Sequence, residues 1–419
     1  MQGTHIRYFR SFGSKSLWLL CIACTLNTTA QSGNYFASAV ADTQAGIDAV
    51  KDDTRILQHA NPEVPGADTS LSANTEKPKN LRAFPFAAPA YTPELGPTLI
   101  GVMMVSFKTN PADSLIQRSS TPVNIGASLR GSYFMNTIIS TYWLEDRLRI
   151  FGEVRFRNMP DHYWGVGFEK AAAKRGRDET TSYTRRYWEV HPRILWQFGR
   201  HCFLGMGIDY HKTQVRDPNP TMLADPDYLA FGPVHFNSGL GLIARYDSRD
   251  VPVNPWKGSL VDLKYMQYSE WFGGDNNFSV TTIDMRHFQE ILRPGSTLAM
   301  EIKLQHASGK VPYTNMSMLG SPYDLRGYFL GHYRDRSMVF AIAEYRHQFL
   351  KRDGSPSRQG VVGWIGTGSI AARFGAFSDW LPNAGFGYRF EVQSRMNVRA
   401  EIGFGRESAG FYFSFNEAF

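Results

Sequence analysis

The sequence has little cysteine and, after its first 30 residues, no long hydrophobic run. Only 3 of the 419 residues are cysteine, and two of them, Cys21 and Cys24, lie in the N-terminal segment. Without these two, Cys202 has no partner for an internal bridge, so a disulfide-stapled domain is excluded, and no Cys/His cluster suggests zinc. No stretch beyond residue 30 approaches the roughly 18 apolar residues of a membrane-spanning helix.

A strong charge of one sign is also missing. Lys+Arg total 45 and Asp+Glu total 38, and the first 30 residues hold three of the positive charges and no acid. The remaining surplus is small and scattered, without the basic stripe typical of nucleic-acid binding, so no nucleic-acid partner is expected. With 14% aromatic residues, the composition excludes a chain that is disordered throughout.

The motifs of several enzyme classes are absent. The sequence contains no G-x-S-x-G nucleophile elbow, no H-E-x-x-H metal motif and no phosphate-binding loop. Its 11 histidines are dispersed along the chain. The sequence therefore predicts no enzyme activity, no catalytic residues, no metal and no cofactor. A site built from residues on separate strands is the enzymatic alternative that spacing does not address.

The N-terminus has the features of an export signal. Basic residues up to Lys15 precede the apolar stretch 16–26, and small residues at 28–30 provide a cleavage site, with 37–39 as a second choice. This order is typical of a secretory signal peptide, so residues 1–30 are predicted to be removed on export.

Two further segments follow the signal. Residues 31–96 are rich in Ala, Asn, Pro, Ser and Thr and show no sustained periodicity, which predicts a low-complexity periplasmic tail or linker. Residues 97–419 instead alternate between apolar and polar side chains, for example in 147–157, 298–305 and 396–404. A period of two separates the two faces of a strand, whereas a helix would mix them.

The strands predicted for residues 97–419 are long and carry Arg and Glu together on their polar faces. Soluble strands average about 5–6 residues, whereas many of these runs reach about ten, as spanning strands do. Length and charge together favour an all-β fold, a transmembrane antiparallel β-barrel of about 16 strands, over a soluble sandwich. The predicted strands lie near 97–108, 122–132, 134–144, 147–158, 163–171, 181–198, 202–216, 236–248, 257–270, 276–291, 296–308, 336–349, 359–374, 382–392, 395–405 and 409–419.

The longest segment without a strand pattern, residues 313–336, contains Leu325, Arg326, Gly327 and Tyr328 in succession. This tetrapeptide resembles the [VL]RG[FY] tip of the long loop in the BamA/TamA outer-membrane assembly superfamily, also called bacterial surface antigens. The resemblance implies a barrel whose long loop folds back into the lumen.

Further matches lie at the spacing that this family shows. Residues 157–167 resemble the family's Pro…(Phe/Tyr)-Tyr-Gly-(Ile/Val)-Gly stretch, and Glu344-Tyr345-Arg346 resembles its E-x-R on the strand after the loop. A turn before the loop resembles the family's D-x-R-D…P-x-x-G pattern through Asp247, Arg249, Asp250, Pro255 and Gly258.

The chain departs from the family pattern at two places. The family's Phe-x-Asp-x-Gly strand carries an acid that pairs with the loop arginine, and Gly366 stands in its place here. Glu344 is the substitute, with Arg346 beside it as the other candidate partner. The second departure is that residues 31–96 show no recognisable POTRA module, the periplasmic unit that precedes assembly barrels.

The loop arginine needs a buried acid if the loop lies in the lumen, because an unpaired buried charge is costly. We therefore expect Arg326 to lie inside the lumen against Glu344 or a neighbour, with Gly327 allowing a tight tip. A solvated surface turn is the alternative. The last strand adds an assembly signal of the kind that bacterial outer-membrane proteins carry, formed by Phe411, Phe413, Phe415 and Phe419.

The resemblance implies a bacterial outer-membrane protein that inserts or translocates proteins, or handles lipid. Its implied partners are outer-membrane lipid, the barrel-assembly machine for its own insertion, and unfolded outer-membrane or secreted client proteins. The implied mechanism is a weak seam between the first and last strands that templates an incoming strand. A passive channel or structural surface barrel without assembly activity is the alternative, which the missing POTRA modules favour.

Overall fold

The computed structural model describes residues 80–92, 95–112, 116, 119–174, 180–252, 254–393, 395–406, 408–415 and 417–419. The predicted signal peptide and residues 31–79 of the predicted tail lie outside this set. Within it, no helix is long and apolar enough to cross a membrane.

Strands account for most of the described chain. Three short helices, α1 (Phe168–Ala173), α2 (Pro220–Ala224) and α3 (Pro226–Leu229), lie in the connections between strands. The strands are β1 (Arg82–Thr92), β2 (Gly96–Phe107), β3 (Ser119–Ser120), β4 (Val123–Ser128), β5 (Tyr133–Trp143), β6 (Leu148–His162), β7 (Ser182–Gly199), β8 (Cys202–Arg216), β9 (Val234–Asp247), β10 (Gly258–Tyr268), β11 (Phe278–Glu290), β12 (Ser296–Gly309), β13 (Ser317–Leu319), β14 (Tyr333–Asp335), β15 (Ser337–Leu350), β16 (Pro356–Ala371), β17 (Leu381–Gln393), β18 (Met396–Phe404) and β19 (Ala409–Phe415).

The wall is an antiparallel meander in which each strand pairs with the next along the chain. β3 and β4 both pair with β2 and β5 and act as one interrupted strand, so the described wall has sixteen strands, the predicted number. β13 and β14 form a separate hairpin inside the connection between β12 and β15, residues 310–336, which we call the lumen loop. β1 is registered with β2, and β19 with β18, at the two ends of the meander.

One predicted strand is wrong and one wall strand was not predicted. Residues 163–167 are irregular and α1 follows, because Gly165 and Gly167 adopt φ of 103° and 99°, which a strand does not allow. The sheet begins at β1, inside the segment assigned to the tail. Pro85 and Pro89 lack the N–H that a central strand needs, but at the edge of the meander this loss is tolerated.

Polarity is inverted relative to a soluble protein. Ile365, Phe386 and Leu242 on the outer face are 69%, 60% and 59% exposed, whereas Arg399 and Glu401 on the inner face are 0% and 1% exposed. An outward apolar wall around an inner charged face is the arrangement that lipid requires of a β-barrel. The fold is the transmembrane antiparallel β-barrel that the alternation predicted, with the lumen loop packed inside.

Candidate functional site

The tip of the lumen loop is built on a tight turn around Gly327. Asp324 fixes the turn, since its Oδ1 accepts hydrogen bonds from the backbone N–H groups of Gly320 (3.0 Å) and Ser321 (2.6 Å). Gly327 adopts φ of 112°, and a Cβ there would lie 2.7 Å from the backbone nitrogen of Gly405. Only glycine allows this conformation and this close approach to the wall.

The side chain of Arg326 is fully buried between two carboxylates. Its Nη2 lies 2.6 Å from Glu344 Oε2 on β15, and its Nη1 lies 3.1 Å from Glu401 Oε2 on β18. The guanidinium stacks on Trp364, 3.5 Å from the ring centroid. Burial alone would lower the pKa of Arg326, but attraction to Glu401 and Glu344 outweighs burial and holds the pKa above its ordinary value. The arginine is therefore permanently charged and locked in the lumen.

Each of the two carboxylates also contacts a further buried charged residue. Glu344 Oε1 accepts a hydrogen bond from Arg346 Nε at 2.8 Å, and Arg346 Nε lies 3.4 Å from Glu417 Oε2. Glu417 also pairs with Arg389. On the second branch, Arg399 donates to Glu401 at 2.7 Å and to Ser414 Oγ of β19 at 3.1 Å. We call this set the charge chain, and its members are Arg326, Glu344, Glu401, Arg346, Arg399, Glu417 and Arg389.

Backbone contacts also join the tip to the last strands. The N–H of Gly327 donates to Tyr412 Oη of β19 at 2.6 Å. Tyr328 Oη donates to the carbonyl of Pro382 on β17 at 2.7 Å and accepts from the N–H of Arg406 at 2.7 Å. The amide of Asn383 donates to the carbonyl of Arg326. The tip therefore touches three consecutive strands at the carboxyl end of the meander.

The base of the lumen loop is anchored on the opposite wall. Its Thr314 Oγ1 lies 2.8 Å from His235 Nε2 of β9, and Asn315 Oδ1 lies 3.0 Å from His211 Nε2 of β8. Tyr313 is fully buried beside these contacts, and burial raises its pKa to about 12. Further along, His332 Nε2 lies 2.8 Å from the carbonyl oxygen of Ala171 in α1, so another connection covers the loop.

The predicted turn motif is well formed but lies away from the tip. Arg249 donates to both carboxylate oxygens of Asp247, at 2.9 and 3.1 Å. Asp250 pairs with Arg395 at 3.0 Å, which ties the β9–β10 turn to the β17–β18 turn. Gly258 has φ of 104° and Pro255 is buried. The structure does not bring these residues into contact with Arg326.

The terminal aromatics do not share one face. Phe411 is 49% exposed on the outer wall, whereas Phe419 is 6% exposed, with its ring centroid 6.3 Å from that of Phe288. The carbonyl of Phe419 accepts a hydrogen bond from Arg346 at 2.9 Å, so the terminus folds inward under the charge chain. The side chains of Phe413 and Phe415 lie outside the described set.

Sequence reasoning paired Arg326 with Glu344, and the structure brings these two together. Arg346 is not a partner of the loop arginine: as a cation it contacts Glu344 and Glu417 instead. Glu401 and Trp364 were missed as partners. Alternation placed Glu401 on the polar face of its strand, but β16 and β17 lie between it and Glu344, and only the curvature of the wall brings both acids to one guanidinium.

Three comparisons with known proteins bear on this arrangement. The model of the Omp85 superfamily domain matches residues 119–404. No curated protein matches the sequence. Among solved structures, BamA from Haemophilus ducreyi lacking POTRA domains 1–3 is similar over 81% of this chain and 70% of that chain, with a TM-score of 0.52 and 12% identity.

Two CdiB structures are similar as well. CdiB from Escherichia coli matches with a TM-score of 0.55 and 10% identity, over 80% of this chain and 62% of that one. CdiB from Acinetobacter baumannii matches with a TM-score of 0.50 and 13% identity, over 81% and 60%. This chain thus spans less than two thirds of either CdiB chain. At these identities, the likeness establishes the fold.

Proposed function

Because this chain belongs to the Omp85 superfamily, we propose that it inserts or translocates proteins at the bacterial outer membrane. The fold is that of BamA and CdiB barrels, and barrels of this superfamily reside in the outer membrane. The function rests on a barrel seam that can open for a client strand.

The observation that carries the proposal is the charge chain between the lumen loop and the last strands. Arg326 is held at 2.6 Å from Glu344 and 3.1 Å from Glu401, and Arg399 reaches Ser414 on β19. A merely structural barrel does not need a buried cationic loop tip, which is expensive to desolvate. A role of the loop in setting the position of the last strand would account for this desolvation cost.

The ends of the meander supply the client-binding edge. β1 spans 11 residues and β19 only 7, and their paired registers are with β2 and β18. Unpaired backbone N–H and C=O groups at a strand edge can accept an incoming strand by β-augmentation. An unfolded outer-membrane or secreted protein is therefore the proposed client.

The alternative, a passive channel, is less well supported. The lumen loop buries Leu325, Arg326 and Tyr328 to 1% exposure or less and is tied to opposite walls at its tip and base. A loop packed in this way occupies the space that steady ion flow would use.

The test is the rate at which an unfolded outer-membrane barrel protein folds into liposomes that contain this protein. We expect the protein to accelerate folding, and we expect Arg326→Ala to abolish the acceleration. Arg373→Ala, at an exposed position in the β16–β17 connection, is the matched control and should retain it. Steady conductance without any acceleration would favour the channel instead.

A further inference from the structure

Two strands place four metal-ligating side chains on one patch of the inner wall. Glu189 and His191 alternate along β7, and Asp209 and His211 alternate along β8, so each pair shares a face. The strand register sets Glu189 opposite His211. We call these four residues the His–carboxylate quartet. The dispersed histidines gave no such signal in the sequence, because the strand register creates the cluster.

Three members of the quartet converge as ligands would. Glu189, His191 and Asp209 each offer one ligand atom, and these atoms lie within 4.8 Å of one another. His191 and Asp209 are both 7% exposed. Nδ1 of His191 lies 4.0 Å from Oδ2 of Asp209, and Nε2 of His191 is buried without a hydrogen-bond partner. A buried imidazole nitrogen without a partner carries a desolvation cost that a metal bond would remove.

The two carboxylates also have the outer partners that metal-ligating groups usually have. Asp209 Oδ1 lies 3.1 Å from Nδ1 of His211, and its Oδ2 accepts a hydrogen bond from Tyr268 at 2.6 Å. Glu189 Oε2 accepts from Arg155 at 3.1 Å, which leaves its other oxygen for a ligand bond. Such outer contacts orient the ligating atoms and tune their affinity for the ion.

We propose that Glu189, His191 and Asp209 bind a divalent transition-metal ion. One imidazole and two carboxylates suit ions such as Zn²⁺ or Mn²⁺, whereas Mg²⁺ prefers an all-oxygen octahedral site. Two cations, Arg193 and Lys264, lie near the site, and Arg193 pairs at 2.7 Å with Glu153, which also pairs with Arg155.

The position of the site gives the ion a structural effect. His211 contacts Asp209 on one side and Asn315 of the lumen loop on the other, at 3.1 and 3.0 Å. An ion that fixes Asp209 therefore also fixes the anchor at the base of the loop. This inference does not depend on the proposed client activity.

The test is Zn²⁺ binding to the full chain, folded in detergent micelles and stripped of metal with a chelator. Competition with a chromophoric chelator gives stoichiometry and affinity, and the thermal midpoint with and without Zn²⁺ gives a second readout. The variants are His191→Ala and Asp209→Asn, and His287→Ala, an exposed histidine on β11, is the matched control. Heat-modifiable gel mobility verifies folding of each variant, and Glu189→Gln replaces any variant that fails this check.

We expect one Zn²⁺ per chain in the wild type and in His287→Ala, not displaced by excess Mg²⁺, with a raised thermal midpoint. Affinity should fall by at least about tenfold in His191→Ala and Asp209→Asn, the loss typical of damaged metal sites. X-ray absorption should show nitrogen and oxygen neighbours only. Absence of stoichiometric binding, unchanged binding in His191→Ala, or a sulfur neighbour from any cysteine would overturn the assignment.

Discussion

At the tip of the lumen loop, one buried arginine touches two carboxylates and an indole ring. The burial of Arg326, Glu344 and Glu401 is complete to within 1%. Within such a group, removal of one charge is costly, because it leaves an uncompensated partner out of water. Substitution of one residue of this site should therefore lower the free energy of unfolding more than substitution of a surface charge of the same kind.

Glu344→Gln tests the cost of removing one charge from this buried group. Glu344 serves both Arg326 and Arg346, so its neutralisation leaves two buried guanidinium groups short of charge. We expect the free energy of unfolding to fall by about 3–5 kcal/mol, measured by urea unfolding in lipid vesicles. Asp353→Asn, in an exposed turn, is the control and should change it little. Equal stability of the two variants would contradict the account.

Gly327→Ala tests the close approach of the tip. Gly327 and Gly354 both have positive φ, 112° and 80°, but a Cβ meets the wall only at Gly327 and open space at Gly354. We expect Gly354→Ala to cost about 1–2 kcal/mol from backbone strain alone. Gly327→Ala should cost clearly more and expose the loop to protease digestion. Similar losses in both variants would show that the tip is not closely packed.

At the residue scale, the sequence identified those residues of the site that belong to a short motif. The Leu-Arg-Gly-Tyr run identified Arg326, and the neighbouring E-x-R run identified Glu344. Glu401 lay on the correct strand face, but its partnership depends on the curvature of several strands, which alternation does not encode. The His–carboxylate quartet was missed because it depends on the register between β7 and β8, which alternation does not encode either.

At the scale of elements, the C-terminal segment after β19 is held inside the barrel by Glu417. This carboxylate lies 3.4 Å from Arg346 Nε and accepts a hydrogen bond from Asn397 at 2.6 Å. The period-two pattern predicted a strand running to residue 419, but β19 ends at Phe415. The chain turns inward because buried ion pairs and the ring of Phe419 find partners there.

The inward turn should depend on pH. Burial would raise the pKa of Glu417, but the neighbouring Arg389 and Arg346 hold it below its ordinary value. Its stabilising contribution is therefore present above an unfolded pKa of about 4.3 and is lost as pH falls through the lower folded value. We expect acidification below about pH 4 to raise the thiol-labelling rate of Ala418→Cys relative to that of free cysteine at the same pH, in a chain that lacks Cys21, Cys24 and Cys202. The comparison with free cysteine is needed because the falling thiolate fraction slows both reactions.

Glu417→Gln is the matched variant for this measurement. Its labelling rate relative to free cysteine should already be high at neutral pH and change little on acidification, since the titrating group is gone. A relative labelling rate that rises equally with acid in both proteins would assign the effect to another group.

At the scale of the whole molecule, the barrel is a wall of sixteen described strands, and the lumen loop packs inside this wall. Most strand positions followed from alternation, because lipid outside and charge inside impose a period of two on every strand. The predicted count of sixteen agrees only because the wrong strand at 163–171 offsets the missed β1. The start of the wall did not follow, since β1 is rich in Ala and Pro and resembles a linker in composition. β1 belongs to the wall because it pairs with β2 at the edge of the meander, where its prolines are tolerated.

Removal of the loop tip should open the barrel. We expect replacement of residues 320–331 by a short Gly-Ser linker to raise steady conductance in planar bilayers well above that of the wild type. The physical reason is that the tip's buried contacts with the wall fill the lumen. Wild-type conductance as large as that of the shortened protein would contradict a loop-filled barrel.

The central claim is that the edge at β1 receives a client strand, and site-specific photo-crosslinking tests it most directly. A photoreactive residue replaces Ala87, exposed on β1, or Ile365, exposed on the outer wall of β16, in liposomes given an unfolded outer-membrane barrel protein. The account predicts a crosslink to the client from position 87 and none from position 365. No crosslink from position 87, or equal crosslinks from both positions, would contradict it.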